Sequence, residues 1–180
     1  MKKPQPSVET SSDAATVFVA EQNDTSVNSH CNNAAIRRAA RRVGQLYDDA
    51  LAPCGLRATQ YSLLNQIERA GSPTMRMLAD KLVMDLSALG HTLQPLSRDG
   101  LLERVADADD RRSRRVHLTP AGIAKLREAR RLWKQANDSF DTSFGVHDAA
   151  RLRATLDLIA SPGFAERLRT ALQSARVDKD

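Results

Sequence analysis

The chain of 180 residues is 41% hydrophobic and 27% charged, which is the composition of an ordinary globular protein with a hydrophobic core. Its net charge is +5, and because residues 1–30 hold two lysines and four acidic residues, the remainder carries +7. No apolar run approaches the roughly 18 residues of a membrane span, and the short run Ala14–Ala20 follows acidic residues that a signal peptide avoids. These features argue against a membrane protein and predict a cytoplasmic chain; the charge suits a polyanion, most commonly nucleic acid, although simple solubility would explain it equally well.

The first part of the chain divides into a tail and a helix. Residues 1–27 are rich in Ser, Thr, Pro and Asp without a sustained period, which predicts a disordered or loosely attached tail. From about Ser29 to Leu51, apolar residues recur at spacings of three and four, as on one face of a helix that Pro53 and Gly55 end. Four arginines on its other side are typical of a solvated face, with nucleic-acid contact as the alternative: Arg37, Arg38, Arg41 and Arg42.

Two helices with the proportions of a helix-turn-helix are predicted between residues 74 and 100. Thr74, Asp80 and Asp85 punctuate the two helical patterns. The chain restarts at Pro73 and Thr74 before the shorter helix, Asp85 caps the longer one, and Val83 and Met84 form the turn between them. Another helix precedes this pair, with Thr59 as its N-cap and an apolar face that contains Leu63, Leu64 and Ile67.

The longer helix has a leucine face and a face suited to DNA. Its inward residues are predicted to be Leu86, Leu89, Leu93 and Leu96. Pro95 removes one helical hydrogen bond and should loosen the last turn before Gly100. The other face is small or hydrogen-bonding and carries no charge except on a protonated His91, whereas an ordinary exposed face is rich in Glu and Lys. We therefore predict that this face reaches base edges in a major groove through Ser87, Ala88, Gly90, His91, Thr92 and Gln94.

A charged hairpin is predicted directly after this helix. Leu101–Val105 and Arg114–Leu118 can pair as two strands. Several arginines lie at the end of the loop between them and at the start of the second strand. At a hairpin tip these could enter a minor groove or hold phosphates, while a solvated turn is the alternative: Arg111, Arg112, Arg114 and Arg115. Asp107, Asp109 and Asp110 would orient them as ion pairs. The predicted fold class is mostly α with a small β-hairpin wing, that is, a winged helix-turn-helix.

This stretch resembles the MarR family of winged-helix transcriptional regulators. The chain matches the family's wing and the Leu-Thr-x-x-Gly motif that follows it. The match is most specific at Gly100, Leu101, Asp107, Asp110, Arg112, Leu118, Thr119 and Gly122. Asp109 stands where the family wing has the arginine that enters the minor groove, so Arg111 or Arg114 would take over that role. His91 stands where many members have arginine, so the resemblance does not fix the operator sequence. It covers about residues 32–144 and implies a sequence-specific DNA-binding regulator, expected to be a repressor.

The resemblance also assigns the helices outside the winged domain. Thr119 and Pro120 open a long helix that Gly145 ends, and two further helices follow, whose apolar stripes could serve an intrachain core alone. In the family, the first and last helices interlock in a homodimer that reads a pseudo-palindromic site. The expected domains are a tail (1–27), a dimerisation helix (28–58), a winged helix-turn-helix (59–119), C-terminal dimerisation helices (120–176) and a short tail (177–180).

The regulatory signal is open between two alternatives. The resemblance implies a small aromatic or phenolic carboxylate effector, and the residues able to hold an anionic ring, each with a structural explanation as well, are Arg37, Tyr47, Arg57, Tyr61 and Trp133. The rival is oxidation of Cys31, which lies near the start of the first helix, where the oxidant-sensing branch of the family has a reactive cysteine. Cys31 and Cys54 are too far apart along one helix to form an intrachain disulfide.

The sequence shows no pattern that predicts catalysis or a metal site. Its four histidines fall in no metal-ligand spacing, and it has no Gly-rich phosphate loop or serine elbow. We therefore expect no enzymatic activity, no cofactor and no metal. A winged helix that binds protein instead of DNA is the alternative from another class, and only DNA binding should weaken steeply with salt.

Overall fold

The computed structural model describes residues 30–107, 110 and 113–177. The chain divides into two units, Met1–Arg37 and Arg38–Asp180. Helix α1 (Asn32–Leu51) begins in the first unit, and all the later elements belong to the second. The tail predicted at residues 1–27 lies outside the described residues, as do residues 178–180.

The described part of the second unit follows the predicted order of elements. After α1 come a 3-10 turn (Ala52–Cys54), α2 (Ala58–Ala70), α3 (Met75–Leu82), α4 (Leu86–Arg98), β1 (Leu102–Ala106), β2 (Arg114–Leu118), α5 (Pro120–Phe144), α6 (Val146–Ala160) and α7 (Pro162–Val177). The two strands pair antiparallel, with Leu102 opposite Leu118 and Ala106 opposite Arg114. The predicted fold class, mostly α with a small hairpin, is confirmed.

Side-chain caps define where three of the helices begin. Thr74, Asp85 and Thr119 each accept a hydrogen bond from the backbone amide three residues later, at 3.2, 2.7 and 3.1 Å. Each bond satisfies an amide that the first helical turn leaves without a partner. The caps predicted at Asp85 and Thr119 are therefore present, and Thr74 caps the helix that was predicted to begin directly after it.

Helix α2 begins earlier than predicted, because its caps come from other residues. Thr59 is not the N-cap; the N-cap is Arg57, whose backbone amide donates to Gln60 Oε1 at 2.9 Å. The amide of Ala58 donates to Asp48 Oδ1 of α1 at 2.7 Å. A carboxylate ten residues away thus satisfies the amide of the first helical residue, and the helix includes the residue that was expected to precede it.

The core of the second unit lies among α2 to α5 and the hairpin. Its fully buried side chains are mainly leucines: Leu51, Leu64, Ile67, Leu78, Leu89, Leu93, Leu96, Leu102, Val116 and Leu126. The inward orientation predicted for Leu86 is wrong, since this residue is 46% exposed. Leu86 is the first residue of α4, and no described side chain covers it as the core covers the later leucines.

The hairpin starts one residue later than predicted because Leu101 completes the end of α4. The amide of Leu101 donates to the carbonyl of Leu96 at 2.9 Å, and the amide of Gly100 donates to that of Ser97 at 3.1 Å. Gly100 has a φ of 69°, a left-handed conformation that glycine adopts without strain. Gly100 therefore terminates α4 as predicted, and β1 begins at Leu102.

Candidate nucleic-acid interface

Helix α4 separates an apolar face from a polar face that is open to solvent. Leu89, Leu93 and Leu96 are fully buried. The residues predicted to face DNA are exposed (Ser87, His91 and Gln94) or half-buried (Ala88, Gly90 and Thr92). The outer surface is thus uncharged, small and rich in hydrogen-bonding groups, which suits close approach to base edges.

The side chain of Thr92 is partly occupied within its own helix. Its hydroxyl donates to the carbonyl of Ala88 at 2.8 Å. This bond fixes the hydroxyl hydrogen and leaves the oxygen lone pairs as acceptors. Thr92 can therefore accept a hydrogen bond from an amino group, such as the N4 of cytosine or the N6 of adenine.

Two exposed apolar residues lie beside this surface, one in the turn before α4 and one at the first position of α4. Val83, in the turn after α3, is 73% exposed and has a φ of 53°, which a β-branched residue rarely adopts. Leu86 is the exposed first residue of α4, and an apolar side chain there is able to contact a thymine methyl group. Leu86 fits the leucine stripe of the sequence, which hides its exposure; its position directly after the Asp85 cap is the signal that it lies at the helix end.

The wing presents one described arginine from the predicted set. Arg114 is exposed at the beginning of β2, whereas Arg111 and Arg112 lie outside the described residues. Arg115 is bound by the protein instead: its Nε lies 2.9 Å from Asp107 Oδ2, and its Nη1 donates to the carbonyl of Ser72 at 3.2 Å. The ion pairing expected from the sequence is thus present between Arg115 and Asp107.

The base of the wing is joined closely to the start of α5. Thr119 Oγ1 donates to the carbonyl of Gly100 at 2.6 Å, and the Thr119 amide donates to the carbonyl of Leu101 at 3.1 Å. A Cβ atom at Gly122 would lie 1.9 Å from that same Leu101 oxygen. Glycine at position 122 therefore allows α5 to pack against the turn between α4 and β1.

Two of the residues proposed to hold an effector are packed against each other. The rings of Tyr61 and Trp133 stack with centroids 5.4 Å apart at an interplanar angle of 21°. Tyr61 is buried, and this burial raises the pKa of its hydroxyl, with a smaller opposing effect of the Arg130 guanidinium. Tyr61 of α2 belongs to the core, and the partly buried Trp133 of α5 packs against it.

The other three candidates are not members of this ring pair. Tyr47 lines a groove of about 600 Å³ between α1 and α5, together with Leu46, Pro53, Leu132, Ala136 and Phe140 among others. Its hydroxyl donates to Asn137 Oδ1 at 3.4 Å, and burial, followed by the Asp141 carboxylate, raises its pKa. Arg57 is exposed at the start of α2, and Arg37 is exposed within the first unit.

The two cysteines are free thiols, one exposed and one buried. Cys31 is an exposed free thiol, and the buried Cys54 donates to the carbonyl of Leu51 at 3.0 Å. Over the ranges that the structure describes, no group of three or more His, Cys, Asp or Glu side chains is placed to hold a metal ion. None of the helices described is both long and apolar enough to cross a membrane.

Comparison with known proteins relates this arrangement to one family. The profile of the MarR family matches residues 55–113. The multiple antibiotic resistance protein MarR of Salmonella typhimurium is 38% identical over 80 residues, 44% of this chain and 56% of that protein. The chain thus spans little more than half the length of the curated relatives it matches.

Solved structures match over a greater length. The M. tuberculosis transcriptional regulator MosR in complex with DNA has a TM-score of 0.68 and 36% identity, covering 76% of this chain and 98% of that one. The transcriptional repressor CouR bound to a 23-mer DNA duplex has a TM-score of 0.70 and 26% identity, covering 78% and 99%. With a relative 36% identical over almost its whole length, and a profile match that includes α2, the helix-turn-helix and β1, the chain belongs to the MarR family of transcriptional regulators.

Proposed function

We propose that this protein is a sequence-specific DNA-binding transcriptional regulator, and that it acts as a homodimeric repressor in the cytoplasm. The observation that carries the proposal is the uncharged, exposed face of α4, directly followed by a wing that presents Arg114. MosR and CouR, whose folds are similar, have both been solved in complex with DNA.

In this proposal α4 enters the major groove and the wing contacts the DNA backbone. The groove-facing residues would be Ser87, Ala88, His91, Thr92 and Gln94, which read bases by hydrogen bonds and by contact with methyl groups. The arginines of the wing would bind phosphates or enter the minor groove, and that contribution is largely independent of sequence. Specificity and affinity would therefore reside in different elements.

Exposed apolar side chains on the last two helices support a homodimer. Among their described residues, α6 fully buries only Ala149 and α7 buries none. The uncovered side chains include Leu156, Leu158, Ile159, Leu168 and Leu172. A second copy of the chain is the occupant that fits, because two α4 helices related by a two-fold axis can read two half-sites.

The proposed signal is a small aromatic or phenolic carboxylate that releases the protein from its operator. The groove lined by Tyr47 and Phe140 offers ring contacts and a phenol hydroxyl. Oxidation of Cys31 is the alternative, favoured by the exposure of this thiol immediately before α1. A Cys31→Ser variant that is still released from DNA normally by peroxide would exclude Cys31 as the sensor.

The first test uses a pool of random duplexes from which the protein selects its own sites. We expect enrichment of a pseudo-palindromic motif, and an affinity for it that falls steeply with salt because bound phosphates release counterions. His91→Ala and Thr92→Ala should change the enriched motif. Arg114→Ala should instead weaken binding to the selected and to a scrambled duplex alike, measured by fluorescence anisotropy over a salt series.

The exposed Arg176 near the end of α7 provides the matched control for Arg114, since Arg176→Ala removes the same charge far along the chain from the wing. It should leave both affinities almost unchanged. If no motif is enriched and binding to every duplex is equally weak, the DNA-binding proposal fails and a protein partner becomes the better hypothesis. If all three interface variants lose specific and random binding equally, the assignment of α4 as the reading helix is wrong.

A further inference from the structure

Arg115 connects the wing to a second part of the winged domain. Its guanidinium lies between the Asp107 carboxylate, at the end of β1, and the carbonyl of Ser72, in the loop between α2 and α3. One side chain therefore holds both the wing and the segment that precedes the helix-turn-helix. Its neighbour Arg114, one residue earlier in β2, is exposed.

The backbone repeats this connection. The amide of Val116 donates to the carbonyl of Pro73 at 3.0 Å, and Thr74 and Arg115 form an isolated antiparallel bridge. Strand β2 thus has β1 on one side and the Pro73–Thr74 segment on the other. Because Thr74 caps α3, the hairpin is attached directly to the start of the helix-turn-helix.

The burial of Asp107 indicates the role of its ion pair with Arg115. Asp107 is only 5% exposed, and the Arg115 side chain is 36% exposed. A buried carboxylate depends on its partners for the interactions that water would otherwise supply, so Arg115 is held in place. Two nitrogens of Arg115 contact protein oxygens, so this guanidinium does not act at the tip of the wing.

We propose that Arg115 is a positioning residue for DNA binding, which holds the wing at a fixed angle to α3 and α4 through Asp107 and the Ser72 carbonyl. This inference rests on the proposed DNA-binding function. It separates Arg115 from Arg114, although the two are adjacent in an arginine-rich segment: Arg114 contacts DNA and Arg115 orients the strand that carries it.

The substitution Asp107→Asn distinguishes positioning from direct contact by the sign of its effect. Removing a negative charge near DNA strengthens binding if the charge acts only through its field. If Asp107 holds Arg115 and thereby the wing, the same substitution weakens binding, by about threefold to tenfold for a pair this buried. The probe is the duplex enriched by the wild-type protein, and affinity is measured by anisotropy.

Arg115→Lys provides a second discriminating variant. Lysine keeps the positive charge, so a phosphate contact would survive largely intact. It lacks the planar fork that reaches Asp107 and the Ser72 carbonyl together, so a positioning role would be impaired. We expect Arg115→Lys to bind several-fold more weakly than wild type, whereas Arg114→Lys, the matched control, should bind almost as tightly.

A double-mutant cycle supplies the readout that a general loss of stability would not move. With Arg115→Gln as the background, Arg114→Gln and Asp107→Asn should each have little further effect on affinity, because the wing is no longer held at the DNA. Thermal unfolding of each variant is followed separately. Should Arg115→Gln fail to fold, Asp107→Asn and Arg115→Lys still decide the question.

The outcomes separate this inference from the function on which it rests. If the wild-type protein selects no duplex, the proposed function itself fails. If it selects a motif but Asp107→Asn binds as tightly as wild type or more tightly, or Arg115→Lys retains full affinity, the positioning role is refuted while DNA binding stands. Additive effects of Arg114→Gln and Arg115→Gln would likewise identify Arg115 as an independent contact.

Discussion

At the scale of single residues, Gly122 shows how the absence of a side chain allows two elements to pack closely. A Cβ atom there would lie 1.9 Å from the carbonyl oxygen of Leu101, which itself accepts the amide of Thr119. The oxygen belongs to the backbone and is already bonded, so it has little freedom to move. The helix can therefore approach the wing only where this position is glycine.

We predict that Gly122→Ala destabilises the protein by about 1–3 kcal/mol, the usual range for forcing an extra group into a packed site. Alanine ordinarily stabilises a helix relative to glycine by roughly 0.5–1 kcal/mol, so the expected sign is reversed here. Urea unfolding measures the difference. Gly90→Ala in α4 is the control, since nothing lies within 4 Å of its Cβ position, and it should stabilise the fold. Equal effects of the two substitutions would contradict the packing argument.

The half-buried Gly90 position also bears on recognition. A methyl group there points into open space in the protein but stands on the helix proposed to enter the major groove. Gly90→Ala should thus improve stability while weakening binding to the selected duplex, because the helix can no longer approach as closely. The separation of these two effects is what identifies the face of α4 as a binding surface.

At the scale of elements, the turn between α3 and α4 is strained at Val83. Its left-handed conformation, with a φ of 53°, costs a residue with a side chain roughly 1–2 kcal/mol. Most of the side chain is exposed, so little packing offsets this cost. Glycine is the residue that ordinarily ends a helix in this conformation.

We predict that Val83→Gly raises stability by about 0.5–1 kcal/mol, because relief of the left-handed strain exceeds the entropy cost of a glycine. Thermal and urea unfolding measure the gain. In Val105→Gly, an exposed valine in the ordinary conformation of strand β1 is removed, and stability should fall. If Val83→Gly is the more destabilising of the two, the valine contributes packing that outweighs its backbone strain.

The helices and the hairpin were predictable because each is encoded locally. Periodic apolar residues, the restart at Thr74 and the caps at Asp85 and Thr119 predicted the order of elements and three helix starts. The errors occurred where a distant residue decides the outcome. Asp48 of α1 binds the amide of Ala58 and moves the start of α2, and a carboxylate ten residues away leaves no mark on the local pattern.

The candidate interface was predictable to a similar degree. The helical period of the sequence predicted the polar face of α4. Leu86 shares the spacing of the buried leucines, and only the structure shows that the core ends before it and leaves it exposed. The sequence likewise grouped all four wing arginines as possible DNA contacts. What distinguishes Arg115 is its contact with Ser72, 43 residues earlier in the chain, and no local motif encodes that contact.

At the scale of the whole molecule, the uncovered leucines of α7 argue for assembly. Leu168 and Leu172 are one helical turn apart and both are exposed. We predict that Leu168→Glu together with Leu172→Glu converts a dimer into a monomer, because two carboxylates cannot be buried at an apolar interface without a large desolvation cost. Light scattering coupled to size-exclusion chromatography measures the mass.

The control for this pair is Gln173→Glu, which adds a carboxylate at a neighbouring exposed position of the same helix. It should leave the mass of a dimer unchanged. DNA binding provides a second readout, since a monomer holds only one half-site and loses the gain from linked binding. A double variant that remains a dimer and binds DNA normally would place the interface elsewhere.

The length of α5 has a consequence for how a signal could travel. This helix has 25 residues, and its third residue, Gly122, packs on the turn that carries the wing. At about 1.5 Å per residue the helix is roughly 37 Å long, so a tilt of only about 5° about one end displaces the other end by about 3 Å. That displacement is comparable to the rise of one base pair, about 3.4 Å. A small rotation near the C-terminal helices would thus be amplified into a shift of one reading position on the DNA.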